Sequence, residues 1–549
     1  MDKLLLSGNE AIALGAFEAG VKVGTGYPGT PSTEILENLT TYPGVYTEWS
    51  VNEKVALEVG IGAAISGART LVTMKHVGLN VAADPLFTAS YTGVKAGLVI
   101  ACADDPAMHS SQNEQDNRNY AYAAKIPMVE PSDSQEARDF IHFAFDLSET
   151  YDTPVILRST TRISHSKSIV LPGPVLGSPV LGSTGVPSPR EDRKVPTAGF
   201  ERNIRKYVMI PAYARLRHVE VEKRMRRLED DVNGFEINRT EMNSTKLGFI
   251  TSGICYTYVK EGYPEASVLK LGMVYPLPEK LIREFCSRVE KVFVVEELDP
   301  FFEMRIRAMG IPVEGKRFFP AVGELNPDRI MKPLSDAGNT PGKTAGEALK
   351  TELQLPPRPP ALCPGCPHRT VFTTLNRLQL TVTGDIGCYT LGALPPFASM
   401  DTCIDMGASI GVAQGIEIAE GQSYKNNTVA VIGDSTFAHS GITGLLNAAY
   451  NKRHSLIIVL DNGTTAMTGM QPNPLSGERI DGQATIALDY AKLGEAVGIM
   501  PDHVRTVDAY KPKEVEGAIR ELLETRSLCL LIIKGLCIIL KKRKKRTKA

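Results

Sequence analysis

Two apolar, β-rich runs, residues 428–432 (TVAVI) and 455–460 (SLIIVL), flank a helix-like segment at 441–450. Each run stops on a small polar cluster, Gly433-Asp434-Ser435 and Asp461-Asn462-Gly463. A run without polar alternation is a strand buried on both faces, which is the signature of a parallel sheet covered by helices. Strand, helix and strand in that order make one βαβ unit, and both polar clusters fall at carboxyl ends of parallel strands, where open α/β sheets bind ligands. A strand-end Gly-Asp-Ser turn is common. Asp434 followed by Asn462 across one helix and one strand, 28 positions later, is much rarer.

The same rhythm recurs along the chain. Residues 11–19 read as a helix; 70–73, 97–101 and 154–157 read as buried strands, and 246–330 returns to strands at LGFIT, ASVLK and KVFVV. The fold class is therefore α/β, with several doubly wound parallel sheets. At about 150 residues per domain, 549 residues suggest three or four domains. The expected divisions are 1–165, a linker and helical segment at 166–245, an α/β domain at 246–335, a connector at 336–359, an α/β domain at 360–540, and a basic tail at 541–549. The run 171–189 is rich in Pro, Gly and Ser and reads as a loop; 215–231 is charged and reads as a helix. No short-period repeat is visible.

Net charge is −1, which excludes whole-protein steering toward nucleic acid. The N-terminus meets polar and acidic residues too early for a secretory signal. The apolar stretch 528–540 is shorter than the roughly 20 residues a span needs and contains Lys534, so it reads as a buried strand pair rather than a membrane helix. The basic run 541–546 reads as a solvated terminus, with a patch for an acidic partner as the alternative. The nine cysteines are an odd count concentrated late in the chain, which fits thiols or metal ligands in a reducing cytoplasm rather than a disulfide framework.

Chemistry sharpens the strand-end reading. Magnesium takes hard oxygen ligands in octahedral geometry and readily shares phosphates. Asp434 offers a carboxylate, Asn462 an amide oxygen and Thr464 a backbone carbonyl. Gly433 would let the backbone approach a diphosphate, and the helix start, Ser435 included, would offer it N–H groups.

Together with GNEAIALGAFEAG (8–20), GYPGTPSTEI (26–35), PGCPHR (364–369), GDIGCYTLG (384–392) and TAMTGMQPNP (465–474), the GDS…DNG pair resembles the alpha subunits of the indolepyruvate:ferredoxin oxidoreductases, over almost the whole chain. The resemblance implies thiamine-diphosphate-binding domains: a pyrimidine-binding half at 1–165, a transketolase-C-like domain at 246–335 and a diphosphate- and magnesium-binding half at 360–540. It implies oxidative decarboxylation of an aryl pyruvate such as indolepyruvate to the aryl-acetyl-CoA under anaerobic conditions. Thiamine diphosphate and Mg2+ would be the cofactors, coenzyme A the co-substrate and ferredoxin the electron acceptor. A smaller beta subunit would be the partner, in an oligomer.

By the same resemblance Glu53 is the catalytic carboxyl that meets N1′ of the aminopyrimidine, with Glu58, just over one helical turn on, as its competitor. Thr30, in the Tyr27-Pro28-Gly29-Thr30 turn, touches the substrate carboxylate. Lys75 and His76 are candidates for the same pocket. Cys366, His368 and His439 are candidates for cofactor contact. Cys363 and Cys366 form a C-x2-C pair, with Cys388 as third member and Cys537, placed in the last strand, as fourth. That set suits a [4Fe–4S] cluster; the competing reading is a tight turn and buried small apolar thiols. The sequence shows no cysteine run of the ferredoxin-like type after Cys537, which puts ferredoxin reduction by this chain alone in doubt. Two rival functions remain at this level: a non-oxidative thiamine-dependent decarboxylase or synthase, and a binding subunit without catalysis.

Overall fold

A computed structural model describes residues 3–171, 199–338, 356 and 359–546. It separates into two compact units, 1–351 and 352–549. The loop read at 171–189 lies outside the described residues except for Leu171, as does the connector at 336–359 except for a few residues at its edges.

The first unit is built on a seven-stranded sheet. In spatial order the strands are Met273–Tyr275, Met128–Val129, Val155–Thr160, Leu98–Asp104, Thr70–Lys75, Val23–Gly26 and Tyr46–Trp49. All neighbours are parallel except the first pair. Every residue of Leu98–Asp104 is buried, as expected for a strand covered on both faces. The expected helix at 11–19 is Gly8–Glu18, started by a capping box in which Ser7 and Glu10 bond each other's backbone N–H. It packs against the long helix Ser134–Tyr151.

A second sheet runs Lys291–Val295, Leu247–Thr251, Ser267–Lys270 and Arg239–Glu241, parallel but for its last strand. The segment expected as a separate domain at 246–335 does not close on itself, since its Met273–Tyr275 strand joins the first sheet. Buried charges tie the two sheets. Arg118 reaches Asp116 at 2.5 Å and Glu296 at 2.6 Å, Arg158 pairs with Asp104 at 2.7 Å and with Glu130, and Glu130 accepts from the Ser252 hydroxyl at 2.6 Å. The charged helix read at 215–231 is Pro211–Asp231, with proline at its permitted first turn.

The second unit has one six-stranded, all-parallel sheet: Thr402–Cys403, Thr381–Gly384, Thr428–Gly433, Leu456–Asp461, Cys529–Lys534 and Val504–Asp508. The strand pair expected at 528–540 is instead one strand followed by a helix, Ile538–Arg546. The cause is local. The Gly535 N–H donates to the Asp461 carbonyl at 2.9 Å and the Cys537 N–H to the Asn462 carbonyl at 3.0 Å. These bonds draw the chain across the Asn462 loop rather than back along the sheet. Beyond that turn, Lys, Arg and Leu favour a helix. Cys537 thus lies just before this helix, outside the strand first assigned to it, and the basic run 541–546 is the helix's exposed end.

Candidate functional site

In the second unit, Thr428–Gly433 and Leu456–Asp461 are adjacent, so the sheet itself brings Asp434 beside the Asn462 turn. The helix after Gly433 starts at Asp434, earlier than the residue 441 expected, and its first turns include a π-helical stretch, Phe437–Gly441, a feature often found at functional sites. Asp434 is buried. Its carboxylate accepts the N–H of Ser435 at 2.7 Å and of Gly463 at 2.9 Å. Burial first, then the charge of Asp461, pushes the Asp434 carboxyl up to about 7. Lys534 stands 3.9 Å from Asp461, and among the described residues no cation is paired with Asp434. A buried carboxylate crowded by a second one, beside the amide oxygen of Asn462, is an oxygen donor set that fits a divalent hard cation. Asn462 is buried; its side-chain oxygen accepts the Thr464 N–H at 3.1 Å. The Thr465 hydroxyl donates to Ser435 Oγ at 2.9 Å, closing the two clusters on each other.

Gly433 also has a packing reason to be glycine. A Cβ there would meet the Tyr389 ring at 2.5 Å. The sequence reading also missed Asp385. It ends the neighbouring strand Thr381–Gly384, is buried, and accepts the N–H groups of Ile386 and Gly407 at 2.8 Å and of Ser409 at 3.1 Å; burial pushes it up to about 6. The signal was present: Gly384-Asp385 repeats Gly433-Asp434 one strand away.

Cys363, Cys366, Cys388 and Cys537 line one cavity of about 90 Å³, together with His368 and Asn462. All four thiols are free, and burial pushes Cys388 up to about 11. Among the described residues no three His, Cys, Asp or Glu side chains converge on a single-ion site. Four cysteines around one cavity are the ligand number that a [4Fe–4S] cluster takes. His368 is buried, and burial lowers it to about 4, so it is neutral and its Nε2 accepts from the Asn462 amide at 3.4 Å. His439 is buried, with Nδ1 2.6 Å from Ser440 Oγ, and does not line this cavity.

In the first unit the carboxyl edge of the seven-stranded sheet gathers a second group. Glu53 opens the helix Glu53–Ile65, capped by Asn52. It is 4% exposed, and a Cβ at Gly78 would meet its Oε1 at 2.5 Å. Glu58 is exposed and paired with Lys54, so burial separates the two candidates. Thr30 is half-buried; its carbonyl accepts the Ser110 hydroxyl at 3.0 Å. The Lys75 ammonium donates to the Ser110 carbonyl at 2.9 Å. His76 is buried against Asn113, and burial lowers it to about 4.

Two family models match. Residues 14–181 fit the thiamine-diphosphate-binding domain of the pyruvate flavodoxin/ferredoxin oxidoreductases, and 385–533 fit the C-terminal binding domain of thiamine pyrophosphate enzymes. The chain is 41% identical to the indolepyruvate oxidoreductase subunit IorA of Archaeoglobus fulgidus, over 99% of this chain and 88% of that protein. The subunit of the same name from Methanothermobacter thermautotrophicus is 41% identical over 98% and 87%, and that from Pyrococcus horikoshii 40% over 98% and 86%.

Proposed function

This chain belongs to the family of the indolepyruvate oxidoreductase subunit IorA, and on that premise we propose that it catalyses the oxidative decarboxylation of an aryl pyruvate, indolepyruvate foremost, to the aryl-acetyl-CoA, with electrons passing to ferredoxin. We assign residues 1–165 the pyrimidine-binding role, 246–335 the transketolase-C-like role and 360–540 the diphosphate-binding role. The observation that carries the reading is the buried Asp434, crowded by Asp461 and beside Asn462 at adjacent strand ends.

Asp434, Asn462 and the Thr464 carbonyl would hold Mg2+ and so neutralise a diphosphate. Thiamine diphosphate, when bound, supplies a nucleophilic carbon and an electron sink for the 2-oxoacid. The buried Glu53 carboxyl would meet N1′ of the aminopyrimidine and serve as its acid–base partner. Thr30 orients the substrate carboxylate. Cys363, Cys366, Cys388 and Cys537 are the residues that would hold a [4Fe–4S] cluster, with Asn462 lining the same cavity. Coenzyme A is the acyl acceptor, and a smaller subunit is the partner.

The test is anaerobic co-purification with that partner, followed by thiamine, iron and product assays. Aryl-acetyl-CoA with ferredoxin reduction supports the reading. An aryl acetaldehyde as the sole product, at full thiamine occupancy and without iron, overturns it in favour of a non-oxidative decarboxylase.

A further inference from the structure

Among the described residues, the carboxyl edge of the first sheet holds an ammonium, that of Lys75, which the chemistry above does not use. Lys75 is the last residue of Thr70–Lys75, in the middle of the sheet. Its stem lies under the turn that carries Thr30, since a Cβ at Gly29 would meet Lys75 Cγ at 3.0 Å and Cδ at 3.1 Å. Its head is tied to the same turn through one residue: Lys75 Nζ donates to the Ser110 carbonyl at 2.9 Å, and the Ser110 hydroxyl donates to the Thr30 carbonyl at 3.0 Å.

The charged groups facing it are Asp105, from the end of the neighbouring strand, and Glu53, from the helix after Tyr46–Trp49; His76 follows it in the chain. Asp105 is already satisfied by neutral donors: the Ser110 N–H at 2.8 Å, the Ser111 hydroxyl at 2.7 Å and the Thr161 hydroxyl at 2.7 Å. Among the described residues the ammonium donates to one carbonyl, so two of its three N–H groups remain unspent. A desolvated cation with spare donors is costly unless an anion arrives.

We propose that Lys75 receives the carboxylate of the 2-oxoacid and, with Thr30, sets which way the substrate enters. This rests on the thiamine-dependent reading above and names the group that recognises its substrate's charge. A carboxylate accepts two charge-assisted hydrogen bonds from the free N–H groups, while the Thr30–Ser110 link holds the lysine in place. Burial is the main influence on Lys75 and lowers it to about 8, with Asp105 and Glu53 pulling the other way. It is therefore charged at neutral pH and loses its charge above about 8.

The test uses the anaerobically purified enzyme with its partner subunit. Lys75→Met should lower kcat/KM for indolepyruvate by roughly 10- to 100-fold, chiefly through KM, the size of one charged hydrogen-bond pair. Hydrogen–deuterium exchange at thiamine C2 without substrate should change far less than kcat/KM, because the lysine acts on the substrate and reaches the cofactor only through its charge on Glu53. Lys75→Arg should restore most of the KM and remove the loss of kcat/KM that wild type shows as pH rises through about 8. An unchanged KM in Lys75→Met overturns the proposal, and so does loss of C2 exchange in a folded Lys75→Met or Lys75→Arg protein. Wild type that binds no thiamine overturns the functional reading underneath, a result distinct from either.

Discussion

At the scale of single residues the assignments turn on burial and charge. Asp434→Ala removes the central carboxylate of the strand-end pair, and Mg2+-dependent thiamine diphosphate binding should be lost; calorimetry with and without Mg2+ checks it, and unchanged affinity would refute the site. Glu53→Gln keeps shape and burial but not the acid–base function. Cofactor should still bind, while C2 proton exchange slows by roughly 10²-fold or more. The control is Glu58→Gln, which alters an exposed residue paired with Lys54 and should leave exchange intact. Asp434 and Asn462 stand out in the sequence because each follows an apolar strand, whereas Glu53 is named there by the family resemblance alone. Asp385 was not singled out although Gly384-Asp385 repeats Gly433-Asp434, because two of its three N–H partners, Gly407 and Ser409, lie more than 20 positions away.

At the scale of elements the buried ion network between the two sheets of the first unit is the critical join. Arg118 is 1% exposed and bound to both Asp116 and Glu296. Arg118→Ala strands two buried carboxylates, and should cost about 3–5 kcal/mol in denaturant unfolding of that unit. Glu297, near this network, titrates differently. It is buried, and burial pushes its carboxyl up to about 7, above an unfolded value of about 4.3. The folded state then binds the proton more tightly than the unfolded one. Its contribution is fully present below the unfolded value and is lost as pH rises toward about 7. Glu297→Gln should flatten that part of the stability curve; melts at pH 5 and 7.5 that differ as much as in wild type would refute it. None of this was visible in the sequence, because Arg118 and Glu296 are 178 positions apart.

At the scale of the molecule the question is where electrons go. In the reaction proposed above, two electrons would have to leave before coenzyme A could take the acyl group, and no common side chain accepts them singly at such a potential. If the four cysteines hold a cluster, Cys388→Ser should lower bound iron by about four atoms and abolish ferredoxin reduction, with thiamine content unchanged. Iron analysis and anaerobic spectra of the co-purified subunits check it; equal iron in the variant would exclude that cavity as the cluster's seat.

The sequence alone determined the α/β class, several of the buried strands and the strand-end pair, because buried parallel strands are written as continuous apolar runs and their carboxyl ends as polar clusters. It also supplied the four cysteines as a set, though it placed Cys537 in a strand. What only the tertiary structure decided depends on contacts between distant segments. Met273–Tyr275 joined a sheet begun more than 200 residues earlier, because strand pairing is chosen by which edge is open and not by neighbourhood in the chain. Residues after Lys534 became a turn and helix, because the Asp461 and Asn462 carbonyls capture their N–H groups. Burial then separated Glu53 from Glu58 and raised Asp434, because the cost of a charge depends on everything packed around it, which no local pattern records.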